Sequence, residues 1–190
     1  MASDNINSIN DVYEWYETTE EWLTSLVQIL REVRNIGQID KISNYIPEDL
    51  LFATPDETHQ LLTEKREHLL EAACMQLFSA YEGTLQDDMK RRRKGRIGKA
   101  LKKLSKDSIS KKAADVNAIL DCWIDNLGIE LHNYSFLKGA IKYRHWLAHG
   151  KYWDDVNAPI NISSITPKML YDSMISIFET INNQVSDFYW

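Results

Sequence analysis

Apolar side chains near the start of the chain recur at alternating spacings of three and four, which is the period of one face of an α-helix. The positions are Ile9, Val12, Tyr16, Thr19, Leu23, Leu26, Leu30 and Val33. This stripe predicts one long amphipathic helix over residues 8–36, ending near Gly37. The same spacing suits either a coiled-coil seam or a face packed in a helix bundle, and the sequence leaves both open.

The rest of the chain continues the helical pattern and marks helix starts with capping residues. Thr54-Pro55-Asp56-Glu57 has the order of an N-cap, a first-turn proline and the glutamate of a capping box. A second helix is therefore predicted from residue 55 to about residue 90. Gly95 and Gly98 then predict a helix end, a loop and a short basic amphipathic turn. Further helices are predicted over residues 113–127 with Gly128 as the stop, over residues 135–149, and from Thr166-Pro167 onwards.

The composition agrees with a helical fold. Only 7 glycines and 4 prolines in 190 residues leave too few turn signals for a β-sandwich or barrel. With 44% hydrophobic and 26% charged residues, the chain has an ordinary globular composition. We therefore predict a single all-α domain over residues 1–190, in which an antiparallel helical bundle (55–189) is joined by the additional long N-terminal helix (8–36).

The sequence contains neither a secretory signal pattern nor an apolar stretch long enough to span a bilayer. We therefore expect a soluble, cytoplasmic protein with no membrane partner.

Positive charge is concentrated in one segment of an acidic protein. Residues 90–112 contain 12 of the 22 Lys and Arg and a single acid, Asp107, although the net charge is −6. Clustered cations favour a polyanion such as nucleic acid, because each neutralised phosphate releases counterions. The alternative is an ordinary solvated surface. The predicted substrate-binding residues here are Lys90, Arg91, Arg92, Arg93, Lys94 and Arg96.

The predicted helix over residues 135–149 carries an arginine inside its apolar face. At about 100° per residue its apolar side chains form one arc, and Arg144 falls near the middle of that arc. A guanidinium cannot lose its charge, so burying it requires a carboxylate, a phosphate or a water-filled cleft. If the partner is a carboxylate, Glu82 or Glu71 is the candidate. His145 and His149 lie one turn apart on the other flank of the same helix.

The segment Arg144-His145-Trp146-Leu147-Ala148-His149-Gly150 resembles the motif of the HEPN family (higher eukaryotes and prokaryotes nucleotide-binding). In that motif an arginine, commonly followed by a polar residue, precedes a histidine by four to six intervening positions. The helix with Ala80-Tyr81-Glu82-Gly83 is similar to the preceding helix of some bacterial members, and the resemblance covers residues 60–185. The resemblance implies a homodimeric, metal-independent endoribonuclease without a cofactor, often a toxin or an anti-phage effector.

The resemblance implies catalytic roles for Arg144 and His149, and the chemistry of RNA suits these side chains. The 2′-hydroxyl of RNA is a built-in nucleophile, so the protein need only move protons and stabilise charge on the phosphate. His149 can act as base or acid near neutral pH, and Arg144 can hold the phosphate. His145 is expected to orient the site or to carry a second proton, and Glu82 to pair with Arg144.

Geometry places a condition on this site. On a straight helix the side chains of Arg144 and His149 point about 140° apart. Either the helix end is frayed at Gly150, or the site is shared between two subunits across a two-fold axis.

Several alternatives remain open. In one HEPN variant a partner antitoxin nucleotidylates a tyrosine that follows the motif, and Tyr152 lies one position later than that tyrosine. We therefore place Tyr152 with the substrate-binding residues. An antitoxin or another defence-system protein is left open as a partner. His145 and His149 also have the spacing of a metal pair, with Asp154 and Asp155 nearby, but no third ligand is evident and no metal is predicted. Two other functions are a catalytically silent HEPN-like module, which binds nucleotide, RNA or protein, and a purely structural helical adaptor.

Overall fold

The computed structural model describes residues 8–92, 94–109, 115–128, 132–148, 165–185 and 188. All regular secondary structure in these residues is helical, which confirms the all-α prediction. The helices are α1 (Ile9–Asn35), α2 (Glu48–Leu51), α3 (Pro55–Arg91), α4 (Gly95–Ile109), α5 (Val116–Leu127), α6 (Tyr134–Ala148) and α7 (Pro167–Gln184). Two short 3₁₀ turns, Ile39–Lys41 and Ser43–Tyr45, lie between α1 and α2.

Helix α1 has the extent and the buried face that the sequence predicts. Every position of the apolar stripe is buried or half-buried. The helix ends where Gly37 adopts a left-handed φ of 67°. There the backbone N–H of Gln38 donates to the carbonyl of Val33, and that of Gly37 donates to the carbonyl of Arg34, both at 3.1 Å. These two bonds form a Schellman motif, which satisfies carbonyls that the helix leaves unpaired.

The predicted caps set the ends of the other long helices. At the start of α3 the backbone N–H of Thr54 donates to Glu57 Oε2 at 2.7 Å, and the backbone N–H of Glu57 donates to Thr54 Oγ1 at 3.3 Å. This is the reciprocal capping box. Gly128 ends α5 with a φ of 66°, and the Thr166 hydroxyl accepts a bond from the backbone N–H of Met169 at the start of α7.

The loop predicted around Gly95 and Gly98 is wrong, because the chain forms helix α4 from Gly95 through Ile109. Ile97 and Leu101, one turn apart, are buried, and α4 packs against α5. Burial of this face outweighs the roughly 1 kcal/mol that a glycine costs inside a helix.

Backbone contacts divide the described residues into two compact units. The smaller unit is residues 14–73, and the larger unit contains residues 8–13 and those from 74 onwards. The boundaries therefore fall inside α1 and α3. The single-domain assignment of residues 1–190 stays a prediction.

Aromatic side chains from α3, α5 and α7 meet in the core of the larger unit. Tyr81 stacks on Phe178 with ring centroids 4.9 Å apart, and Trp123 meets Phe188 edge-on at 5.9 Å. The first turns of α1 join this unit through α7: Tyr13 stacks on Tyr171 at 4.2 Å. None of the helices in the described part of the chain could span a bilayer.

Candidate functional site

Arg144 lies four residues before the end of α6 and forms the predicted ion pair with α3. Its Nη2 is 3.1 Å from Glu82 Oε2. The Arg144 side chain is 29% exposed, and Glu82 is similarly half-buried. Tyr143 and Ile141, which flank Arg144 on α6, are buried in the core of the larger unit. The arginine therefore stands at the edge of the core, paired with an acid and still in contact with solvent.

The pair with Glu82 leaves part of the guanidinium unused. The Nε of Arg144 is buried and has no hydrogen-bond partner among the described residues. An arginine carries five N–H donors in a planar fork, and a buried donor without an acceptor costs about 1–3 kcal/mol. Arg144 is thus held by Glu82 on one side, and an anionic oxygen from solvent can reach only the exposed part of its side chain.

The histidines of the motif are only partly covered by the structure. His145 is exposed on α6, and the neighbouring Trp146 is half-buried and stacks on Tyr143 with centroids 5.8 Å apart. His149 and Tyr152 lie outside the described residues. The approach of His149 to Arg144 and the role of Tyr152 stay predictions, as does the alternative metal site, whose Asp154 and Asp155 also lie outside.

Most of the predicted RNA-binding cations that the structure describes are exposed. Lys90 and Arg91 end α3, and both approach Asp87, at 3.3 and 3.8 Å. Ion pairs this exposed contribute little and leave both cations accessible. Lys94 and Arg96 are exposed near the start of α4, whereas Arg93 lies outside the described residues.

Helix α4 extends this surface beyond the residues chosen from the sequence. Its buried side carries Ile97 and Leu101, and its solvent side carries only cations and no acid between residues 94 and 104. We call these exposed residues the basic face of α4: Lys94, Arg96, Lys99, Lys102 and Lys103. The last three lie in the basic segment 90–112 that the sequence predicts for RNA, outside the six residues named from it.

Arg92 is a correction to the predicted RNA-binding set. Its side chain is only 9% exposed, and it makes two bonds to Asp88: Nη2 to Oδ1 at 2.8 Å and Nε to Oδ2 at 3.1 Å. Its guanidinium also lies over the Trp123 ring, 4.9 Å from the centroid. Arg92 is therefore part of the packing between α3 and α5 and is not available to a phosphate. The i, i+4 spacing of Asp88 and Arg92 was the sequence signal for this pair.

A second polar cluster, which the sequence did not reveal, joins α6 to α5. The Tyr134 hydroxyl donates a short hydrogen bond to Asp121, and Lys138 Nζ lies 3.4 Å from the same carboxylate and 4.6 Å from the Tyr134 ring centroid. Burial and the adjacent carboxylate raise the pKa of Tyr134, because both disfavour the phenolate. Tyr134 therefore stays a hydrogen-bond donor through the neutral range and ties the first turn of α6 to α5.

Comparisons of the chain with protein-family models, with curated proteins and with solved structures give no match. The resemblance to HEPN proteins thus depends on the Arg144–Gly150 motif and its helical context alone.

Proposed function

We propose that this protein is a metal-independent endoribonuclease of the HEPN type, in which Arg144 and His149 act on the scissile phosphate. The observation that carries the proposal is the state of Arg144. It sits at the edge of an apolar core, is anchored to Glu82 at 3.1 Å, and keeps 29% of its side chain exposed to solvent. A phosphate oxygen is the acceptor that suits this guanidinium best.

Glu82 acts as a positioning residue in this proposal. By holding Nη2 it fixes the plane of the Arg144 guanidinium, so the remaining donors keep a constant direction. Negative charge that develops on the phosphorane oxygens is then stabilised by the remaining N–H donors of Arg144, which are already oriented and need no reorganisation. Because the side chain is 29% exposed, a nucleic acid can reach it from solvent.

His149 supplies the proton transfer. As the neutral imidazole it removes the 2′-hydroxyl proton, the 2′-oxygen bonds to phosphorus, and the bond from phosphorus to the 5′-oxygen breaks. The leaving oxygen takes a proton from a second acid, a role for which His145 is the candidate, and the products are a 2′,3′-cyclic phosphate and a 5′-hydroxyl. Substrate RNA is held by Lys90, Arg91 and the basic face of α4 through its phosphates.

We further propose that the active form is a homodimer in the cytoplasm, as in the family that the motif resembles. A two-fold axis near the end of α6 would bring Arg144 of one subunit to His149 of the other, which removes the 140° divergence expected on a single straight helix.

The test is RNA cleavage by Arg144→Ala and His149→Ala variants. Each substitution should lower the cleavage rate by at least about 10²-fold, the usual contribution of a positioned acid–base group or of an oxyanion donor. Arg144→Lys is the matched control: it keeps the charge but loses the planar fork, so it should recover only part of the activity. Unchanged helical CD spectra would show that the fold is intact.

Retained cleavage by a folded Arg144→Ala or His149→Ala protein would contradict the assigned roles. Cleavage should also be unchanged in EDTA. Loss of activity in EDTA that zinc or manganese restores would favour a metal site at His145 and His149 instead.

A catalytically silent RNA-binding module is the second candidate. The 3.1 Å pair with Glu82 favours it, because a structural ion pair would satisfy Arg144 in part without any substrate. RNA that stays intact after long incubation but binds in a salt-sensitive manner would select this function over the nuclease.

A further inference from the structure

The outward side of α1 carries large apolar side chains that the fold does not bury. Four of them in the smaller unit are exposed at a strict interval of seven residues: Trp15 (40%), Trp22 (75%), Ile29 (49%) and Ile36 (64%). The helical hydrogen bonding reaches the last of them, because the backbone N–H of Ile36 donates to the carbonyl of Glu32 at 3.1 Å. Single exposed apolar residues are ordinary, but a row of four on one helix face is not.

These residues form a heptad seam together with the outer edge of the buried stripe. Between the exposed residues lie three half-buried ones: Thr19, Leu26 and Val33. Together the seven side chains follow one another along α1 at alternating spacings of four and three residues. Alternation of this kind is the pattern that one helix presents to another in a coiled coil. The outer seam, as we call it, runs from Trp15 to Ile36, about 30 Å or three heptads along the helix axis.

The charge beside the outer seam has one sign. Glu14, Glu21 and Glu32 are exposed and lie about 80–100° from Trp22, all on the side of the seam that faces away from the buried stripe. The two cations of α1 do not reach this flank. Arg31 follows Trp22 by nine residues and is therefore on the opposite face, and Arg34 is used inside the smaller unit, where it donates to Thr58 Oγ1 at 2.9 Å and to the carbonyl of Leu50 at 2.7 Å.

The acidic flank decides which kind of partner can bind the outer seam. An antiparallel second copy of α1 would place acids beside acids. A parallel copy would place the acidic flank beside the flank of the buried stripe, where the cation of α1 is Arg34, which is bonded to Thr58 and Leu50. RNA and the anionic surface of a membrane would be repelled as well. A helix with apolar residues at the same spacing and with Lys or Arg beside them would bury the tryptophans and neutralise the glutamates.

We propose that the outer seam binds a basic amphipathic helix of a partner protein. The site uses neither Arg144 nor the basic face of α4, and it is independent of whether the protein cleaves RNA. Affinity would come from burial of Trp22 and its neighbours, since aromatic residues commonly dominate such interfaces, and selectivity from the acidic flank.

The experiment uses the full chain and two synthetic helical peptides of about four heptads with Ile and Leu in the seam. One peptide carries Lys at the flanking positions and the other carries Glu, and both bear a fluorescent label for anisotropy titrations. The Lys peptide should bind at least tenfold more tightly than the Glu peptide, and its affinity should fall as salt is raised.

Matched variants locate the binding. Trp22→Glu combined with Ile36→Glu should weaken binding of the Lys peptide at least tenfold. Both side chains are mostly exposed, so the CD spectrum should be unchanged. Met169→Glu introduces an acid at an exposed apolar residue of α7, in the other unit, and should bind the Lys peptide as the unaltered protein does.

Three results would overturn the proposal. The first is equal binding of the Lys and Glu peptides, and the second is unchanged Lys-peptide binding by the double variant. The third is self-association through the seam, seen in sedimentation as a dimer that becomes a monomer in the double variant, because the occupant would then be a second copy.

Discussion

Arg91 and Arg92 are adjacent in the chain and have opposite environments. Arg91 is 62% exposed and lies 3.8 Å from Asp87, whereas Arg92 is 9% exposed, makes two bonds to Asp88 and covers the Trp123 ring. A rotation of 100° around α3 separates solvent from the contact with α5. Charge counting alone assigned both to RNA, although only Arg91 can reach it.

The two neighbours therefore give a paired test. Arg92→Gln should lower the free energy of unfolding by about 3 kcal/mol, because it removes the cation that makes two bonds to the buried Asp88 carboxylate. Arg91→Gln removes the same charge and should change the stability by less than about 0.5 kcal/mol. Urea denaturation measures both values, and equal effects on stability would contradict the burial that we assign to Arg92.

RNA binding should show the reverse order. Arg91→Gln should weaken binding and reduce the slope of log affinity against log salt by about one, as expected for one lost phosphate contact. The folded Arg92→Gln protein should bind with an unchanged slope, which filter binding over a salt series would measure.

At the site itself, the sequence named the acid that pairs with Arg144 as one of two candidates, Glu82 and Glu71, and did not predict the second polar cluster. An arginine in an apolar arc demands a counter-charge, and Glu82 was a named candidate because it lies just off the apolar edge of α3. The pairing of Tyr134 and Lys138 with Asp121 depends on how α6 packs against α5, which no local spacing encodes. The roles of His149 and Tyr152 stay predictions.

At the level of the helices, local signals were accurate wherever a cap or a long stripe defines an element. The ends of α1, α3, α5 and α7 follow from Gly37, the Thr54 capping box, Gly128 and Thr166, whose backbone and side-chain bonds act over a few residues. Helix α4 does not follow from local signals, because Gly95 and Gly98 predict a helix end and a loop. What stabilises α4 is the burial of Ile97 and Leu101 in a helix that packs against α5, a tertiary contact that local helix signals do not encode.

The basic face of α4 predicts a sharp effect on RNA binding. Neutralising three of its cations together, Lys99→Gln, Lys102→Gln and Lys103→Gln, should lower the salt slope by about two to three and weaken binding at low salt, while the helix is kept because glutamine is a good helix former. Filter binding and CD measure the two effects.

A second triple variant controls for net charge. Lys41→Gln, Lys65→Gln and Lys168→Gln remove the same three charges from exposed positions on other elements. This protein should bind RNA nearly as the unaltered one does. If both triple variants lose the same affinity, binding reflects the overall charge and not the basic face of α4.

At the scale of the whole molecule, the question is whether one copy suffices for the site. On a straight helix Arg144 and His149 would point about 140° apart, and this prediction favours a site shared by two subunits. A shared site can be tested in a way that a single-chain site cannot. One subunit of a dimer can carry the Arg144 substitution while the other subunit carries the His149 substitution.

We expect complementation between the two inactive variants. A mixed dimer of Arg144→Ala and His149→Ala subunits, purified through two different tags, contains one doubly defective site and one intact site. It should therefore show about half of the activity of the unaltered dimer. If each subunit carries a complete site, the mixed dimer should be as inactive as either parent, and cleavage assays distinguish the two cases.

The stacking of Tyr13 on Tyr171 has a consequence for how the chain acquires its structure during synthesis. The hydroxyl of Tyr171 also donates to Asn10, so the contact joins residues that are 161 positions apart. Residues 14–73 can organise from near neighbours while they leave the ribosome, but the stack of Tyr13 on Tyr171 cannot form until α7 has been translated. At ordinary elongation rates that delay is on the order of ten seconds, so this contact belongs to the last stage of folding.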